Sequence, residues 1–311
     1  MPTAELTAPV ILGAGPVGRT IAQCLVAAGH EPRVLTKSGT ALPGTKPVAV
    51  DLTNVEATTE AVRGADVLFH CAQPAYHRWP QDFPPLQRAI LDAAEKVGAG
   101  VVAIENTYAY GRVSGPMTES TPFAPISVKG RVRAQLASEL AEAHTAGRVR
   151  TVSVRASDFF GPHVLASAYG ERFFEPLLAG KKTELLGNPD SRHSATYMPD
   201  IAEAMTAVAI RPDLWGRTWH APTADAVTQR ELVAIVAAAA GADPAFRVLS
   251  AWQLRFAGLF IKAAKEGIEM LYEFDHDYIV DSSAIETELG LRPTPLPEAA
   301  ATTVEWFRSR R

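Results

Sequence analysis

The chain has 311 residues, of which 47% are hydrophobic, with 30 basic and 34 acidic side chains and a net charge of −4. That apolar share builds a packed core and excludes a disordered chain. No basic stripe or tail offers a footing for nucleic acid, and the longest apolar run, Leu232 to Ala240, is far short of a membrane span.

In chain order, Val10–Leu12 reads as a buried strand, followed by a helix over Val17–Ala28 that ends at Gly29. Strands follow at Pro32–Thr36 and Pro47–Val50, then a helix at Asn54–Arg63 and a strand at Val67–Cys71. A helix at Leu86–Val97, a strand at Val101–Ile104, a helix at Val132–Ala146 and a strand at Arg150–Arg155 complete the first half. Short apolar runs alternating with helices call for a doubly wound parallel sheet, an α/β fold of Rossmann type. Residues 1–157 are expected to form this dinucleotide-binding domain. Residues 158–311 are expected to form mainly a smaller substrate lobe, with some segments returning to the core. Its signals are a helix opening at Asp200, a helical stripe Trp252, Phe256, Phe260, and a closing helix over Pro297–Phe307.

Cys24 and Cys71 form no CxxC pair, so neither a zinc site nor a disulfide framework is indicated, and both read as small buried thiols. Met1 to Pro9 lacks the pattern of a signal peptide, which makes the cytoplasm the expected compartment.

Gly13-Ala14-Gly15-Pro16-Val17-Gly18 joins the first strand to the first helix. The first glycine permits the tight turn, the second lets backbone approach a pyrophosphate, and the third lets helix and strand pack closely. The helix start then offers free N–H groups and its positive dipole end to phosphate. At the end of the second strand, Thr36, Lys37 and Ser38 stand where NAD binders often place a carboxylate. A lysine and two hydroxyls suit a 2′-phosphate, so NADP(H) is favoured over NAD(H). Asp51, with Leu52 after it, closes the third strand; its carboxylate suits either the adenine amino group or the cap of the next helix.

Several further segments extend the pattern: Val67 to Ala72, Tyr110-Gly111, Thr118 to Pro122, Val154 to Pro162, and Tyr197 to Ala204. In this order and spacing, the chain resembles the short-chain dehydrogenase/reductase superfamily in its extended, NAD-dependent epimerase/dehydratase branch. The resemblance implies a Rossmann-type core with a C-terminal substrate lobe. It also implies a serine or threonine after the fifth strand and a Tyr-x-x-x-Lys pair on the next helix. Here Asn106 stands at the serine position, Lys129 at the tyrosine position and Arg133 at the lysine position. The usual acid/base is missing, which marks an atypical member.

Without it, the developing alkoxide has several sources of help. Lys129 can donate from the tyrosine's place or bridge the ribose hydroxyls. Asn106 or Thr107 can donate to the carbonyl oxygen. A neighbouring hydroxyl on the substrate, or water, can supply the proton. Arg133 stays protonated and is no base. Tyr108 and Tyr110 are weaker acid candidates, and Tyr110 reads as structural. Cys71, Ala72 and Gln73 after the fourth strand, and Ser157, Asp158 and Phe159 after the sixth, are expected against the cofactor, at the carboxyl ends of the strands. Tyr76, His77, Tyr108, Phe160, His193 and Tyr197 are expected to line the substrate, with Trp79 in the same aromatic loop.

No metal-site or acyl-transfer motif is present. The leading expectation is an NADPH-dependent ketoreductase acting on a mid-sized carbonyl compound, the resemblance suggesting an aromatic polyketide of secondary metabolism. The alternatives are a nucleotide-sugar epimerase or dehydratase, and a non-catalytic NADP(H) sensor or scaffold. The expected partner is a small molecule, with homodimerisation open.

Overall fold

A computed structural model describes residues 5–249 and 268–310. The expected stripe Trp252, Phe256, Phe260 lies outside the described residues.

The first half is built from β1 (Val10–Leu12), α1 (Pro16–Ala27), β2 (Arg33–Thr36), β3 (Lys46–Ala49) and α2 (Val55–Ala61). It continues with β4 (Val67–His70), α3 (Trp79–Val97), β5 (Gly100–Asn106), α4 (Val128–Thr145) and β6 (Thr151–Ala156). These strands form one parallel sheet in the order β3-β2-β1-β4-β5-β6. A seventh strand, β11 (Thr218–His220), joins it beside β6, also parallel. The chain is therefore a Rossmann-type α/β protein. Its strand order reverses between β1 and β4, which opens a crevice at the strands' carboxyl ends.

Alternation along the strands explains the layering. Ile11 and Phe69 face one side, against α1 and α6 (Met198–Ala209). Val10, Leu12 and Leu68 face the other, against Ile90 of α3 and Leu136 of α4. With both faces buried the strands have no polar side, so they read as continuous apolar runs.

Two helices start earlier than the periodicity predicts. α3 begins at Trp79, seven residues ahead of expectation, and carries Pro84 and Pro85 inside it. Prolines read as breakers, but Trp79, Phe83, Leu86 and Ile90 share a buried face at helical spacing, and that burial prevails. The loop expected to hold Trp79 is thus a helix start, preceded by a single 3₁₀ turn at Tyr76–Arg78. α4 begins at Val128 because Ser127 caps it, accepting from the Gly130 N–H at 2.9 Å.

After β6 come β7 (Asp158–Phe160), α5 (Glu171–Leu178), β8 (Thr183–Leu186), β9 (Arg192–His193) and β10 (Ala195–Tyr197). After β11 come β12 (Val227–Thr228), α7 (Gln229–Ala240), β13 (Phe246–Leu249), α8 (Ser283–Leu289) and α9 (Leu296–Ser309). α5, α7 and α9 enclose a separate apolar core around Phe173, Phe174, Val233 and Phe307. The short strands pair as β7 with β10, β8 with β13, and β9 with β12. Residues 268–282 run back across the sheet's carboxyl edge, bridging Tyr278 to His193 and Val280 to Met117. Among the described residues no helix is long and apolar enough to cross a membrane.

Candidate active site

The glycine turn has the shape a pyrophosphate needs. Gly13 has φ +100°, and a Cβ on it would lie 2.9 Å from the Ala72 backbone. A Cβ on Gly18 would lie 2.0 Å from the Gly13 carbonyl oxygen, so only glycine lets α1 pack against the turn. A Cβ on Gly15 would meet nothing within 4 Å. That open face lies at the start of α1, whose N-terminus has Pro16 at its first position and no side-chain cap. The uncapped N–H groups and bare Gly15 together fit a dinucleotide diphosphate. Val17 packs into the core behind the turn.

Beside it, at the ends of β2 and β3, Lys37 and Asp51 form an ion pair at 3.0 Å. The Lys37 side chain is 85% exposed. Thr36 Oγ1 accepts from the Thr40 N–H, and Ser38 shares a hydrogen bond with the Thr40 hydroxyl. Asp51 also accepts from the Thr53 hydroxyl at 2.7 Å, and these partners hold its carboxyl down at about 2. It does not cap α2. Asn54 does so, accepting from the Ala57 N–H, because the chain turns through Asp51–Asn54 before the helix begins. Leu52 is buried beneath this turn.

Across the crevice Cys71, Ala72 and Gln73 continue from β4 at the carboxyl end of the sheet. Cys71 and Cys24 are half-buried rather than fully enclosed, and burial pushes both thiols up. Arg133 points at this segment. Its guanidinium lies 4.3 Å over the Trp79 ring and 4.6 Å over Phe83, with only a 3.5 Å contact to Gln73 Oε1. Its Nε is buried without a hydrogen-bond partner among the described residues, and desolvation pulls its pKa down to about 10. The aromatic wall of α3, rather than a carboxylate, faces the Arg133 guanidinium.

Lys129 is buried in the first turn of α4. Its Nζ pairs with Glu269 at 2.7 Å and lies 4.3 Å over the Tyr76 ring. Glu269 also accepts from the Val128 N–H at 3.1 Å, so one carboxylate ties the helix start to the returning segment. The Asn106 side chain accepts from the Tyr108 N–H, fixing the 3₁₀ turn after β5. Thr107 Oγ1 accepts from the Tyr278 hydroxyl at 2.9 Å.

Behind these residues lies a buried polar cluster. His193 Nε2 faces Asp158 Oδ2 at 2.8 Å, and His193 Nδ1 faces the Glu273 carbonyl at 3.1 Å. A carbonyl only accepts, so the Glu273 contact assigns a proton to Nδ1. The imidazole stacks between Phe274 and Tyr278, with centroids 4.6 and 5.4 Å away. The Glu273 carboxyl is buried. Desolvation, and then Asp158, raise its pKa well above the carboxylate range, while the Tyr278 and Tyr272 hydroxyls act in the opposite sense. Its Oε1 and the Ser157 and Tyr169 hydroxyls have no hydrogen-bond partner among the described residues. Tyr76 and Tyr108 interact at the near side, and burial raises both phenols.

The structure brings Asn106, Thr107, Tyr108, Lys129, Tyr76, Asp158 and His193 to one place. It does not bring the others. His77 is exposed on the 3₁₀ turn. Phe160 and Tyr197 pack against each other at a tilt in the apolar core of the C-terminal lobe, because β7 and β10 turn those rings inward. Phe159 packs toward the main core. Tyr110 is enclosed elsewhere, bonded to His220 at 2.7 Å and to Arg155. Glu269, Tyr272, Glu273 and Tyr278 were not foreseen; the only signal was the aromatic richness of residues 252–278.

A model of the NAD dependent epimerase/dehydratase family matches residues 10–218. An uncharacterized UDP-glucose epimerase of Bacillus subtilis (strain 168) is 24% identical over 186 residues, 56% of this chain and 58% of that protein. The chain thus matches less than two thirds of that relative's length. The UDP-glucose 4-epimerase of Mycolicibacterium smegmatis is 24% identical over 271 residues, 79% of this chain and 77% of that protein. Among solved structures, a dTDP-glucose 4,6-dehydratase double mutant from Streptomyces venezuelae with NAD bound superposes with a TM-score of 0.78 at 23% identity, covering 98% of each chain. With the glycine cradle, the strand order and a family match over two thirds of its length, the chain belongs to the NAD dependent epimerase/dehydratase family.

Proposed function

We propose that this chain is a nicotinamide dinucleotide-dependent oxidoreductase that interconverts a secondary alcohol and a ketone, with a nucleotide-linked sugar as its substrate. The observation that carries the redox reading is the open face over Gly15 at an uncapped helix start. The sugar reading draws on the relatives, whose names specify UDP-glucose and dTDP-glucose. The bound nicotinamide supplies the hydride donor or acceptor. Gln73 and Arg133 orient its ribose, and Arg133 has spare donors for that purpose. Lys129, held by Glu269 and Tyr76, positions the site rather than shuttling protons. NADP(H) is the preferred form in this reading, supported by the exposed cation of Lys37 and hydroxyl of Ser38 after β2, which suit a 2′-phosphate.

A second reading, one-way reduction of a ketone by NADPH, is favoured by the replacement of the family's Tyr-x-x-x-Lys pair by Lys129 and Arg133. Epimerases and dehydratases begin by removing a hydroxyl proton, and neither replacement is suited to that. One experiment separates the readings. Purified protein is assayed for retained nucleotide, then for conversion of UDP-glucose and dTDP-glucose, and for oxidation of NADPH by a panel of ketones. Sugar conversion with tightly held cofactor supports the first reading. NADPH oxidation with ketones alone replaces it by the second. Failure to bind any nicotinamide nucleotide defeats both.

A further inference from the structure

The start of α4 grips a carboxylate as a site for a small oxyanion would. Glu269 places one oxygen 2.7 Å from Lys129 Nζ and the other 3.1 Å from the Val128 N–H. One donor is a cation whose side chain is only 4% exposed. The other is the first N–H of an 18-residue helix, at the positive end of its dipole. The Tyr76 ring covers the ammonium at 4.3 Å. This first turn lies against the turn after β5, since a Cβ on Gly130 would come within 2.6 Å of the Tyr108 carbonyl oxygen. The two donors therefore belong to the candidate site, beside Thr107 and Tyr108.

A buried lysine needs a counter-charge, and a fixed one could come from the sheet or from α3. Here it comes from 140 positions away, on the segment that runs back across the sheet's carboxyl edge. The Glu269 side chain is 24% exposed, so it closes the pair from the solvent side. Tyr76, Ile126 and Val128, large apolar side chains that stay exposed, border it. A carboxylate that enters from the mouth of a site can leave by the same way and be replaced by another oxyanion.

We propose that Lys129 Nζ and the Val128 N–H form the seat of an anionic group of the substrate, a phosphate or a carboxylate, and that Glu269 fills this seat as a built-in competitor. For its substrate class the proposal rests on the reading above. A nucleotide-linked sugar carries such a group in its diphosphate, and also on its ring where the ring is a uronate. Binding exchanges one oxyanion for another, so the buried ammonium keeps a counter-charge throughout and no bond is made or broken. A neutral molecule cannot make the exchange, because displacing Glu269 would strip the ammonium of this partner. The pair thus selects for substrates that bring their own negative charge.

The test needs binding alone. Glu269→Gln keeps an acceptor for the Val128 N–H but removes the charge facing Lys129, so it should melt below the parent. Inorganic pyrophosphate or glucuronate, compared by calorimetry at constant ionic strength, should bind this variant about tenfold more tightly than the parent, because the seat is no longer self-occupied. The bound oxyanion should also restore the lost melting temperature. The two probes separate a phosphate from a carboxylate source. Lys129→Met added to Glu269→Gln removes both charges, so it should fold without the penalty and lose the added affinity for both probes. Pyrophosphate held at the glycine turn is common to all three proteins and cancels. Equal affinities of parent and Glu269→Gln for both probes, or of the single and double variants, overturn the seat. The expected pattern in a protein that binds no nicotinamide nucleotide keeps the seat and removes the oxidoreductase reading, so the two failures are distinct.

Discussion

At the scale of single residues, cofactor choice turns on Lys37. Its ammonium is paired with Asp51 but largely in water, where such a pair contributes little and exchanges readily. A 2′-phosphate carries more charge than the carboxylate and presents three acceptor oxygens, so it should draw Lys37 away from Asp51. Lys37→Ala is therefore expected to weaken NADPH binding about tenfold and leave NADH binding within about twofold, the former loss shrinking as salt is added. Fluorescence titration of both nucleotides checks this. Equal losses for both would assign Lys37 a general electrostatic role and return the preference to NAD(H).

At the scale of elements, the turn from β1 into α1 separates folding from binding. Gly15 has an ordinary φ of −71° and empty space where a Cβ would go, so Gly15→Ala should fold with parent stability. The added methyl would stand where a diphosphate approaches, and dinucleotide affinity should fall at least about tenfold. Gly18→Ala instead drives a Cβ into the Gly13 carbonyl, which should cost about 1–3 kcal/mol of stability as well as affinity. Thermal melts beside binding titrations distinguish the two; parent-like affinity in folded Gly15→Ala would sink the cradle assignment. This turn was fully legible in the sequence, because each glycine answers to a backbone demand within a few residues of itself. So were the six strands of the first half, of which all but the exposed edge strand β3 carry apolar runs buried by local helices. The buried polar cluster was not legible. Thr107, His193, and Glu273 with Tyr278 come from three separate stretches, and no local period links them. The lobe's short strands were missed for the same reason: β9 and β12 have two residues each and exist only through their partners. The early start of α3 escaped because prolines outweigh a buried face when only local signals are read.

At the scale of the whole molecule, the sheet's carboxyl edge gathers buried ionisable groups of opposite kinds, and these should limit stability from both sides of neutrality. His70, at the end of β4, is buried, and its Nδ1 has no hydrogen-bond partner among the described residues; desolvation, and then Arg133, lower its pKa from 6.5 to about 4. Between those values the unfolded chain binds a proton that the folded chain refuses, so stability falls as pH drops through this window. A shift of about 2.5 units corresponds to roughly 3 kcal/mol, full above the higher value and gone below the lower. Glu273 acts with the opposite sign. Its folded pKa is raised, so the unfolded chain releases a proton that the folded chain keeps, and stability is lost as pH rises above the ordinary carboxylate value of 4.5. Denaturant unfolding at a series of pH values should show the parent losing about 3 kcal/mol more than His70→Gln between neutrality and about pH 4. On the alkaline side Glu273→Gln should lose less than the parent. Parallel slopes for parent and His70→Gln would mean that His70 takes up its proton without opening the fold. In that case the buried edge of the sheet is wetter than its packing indicates.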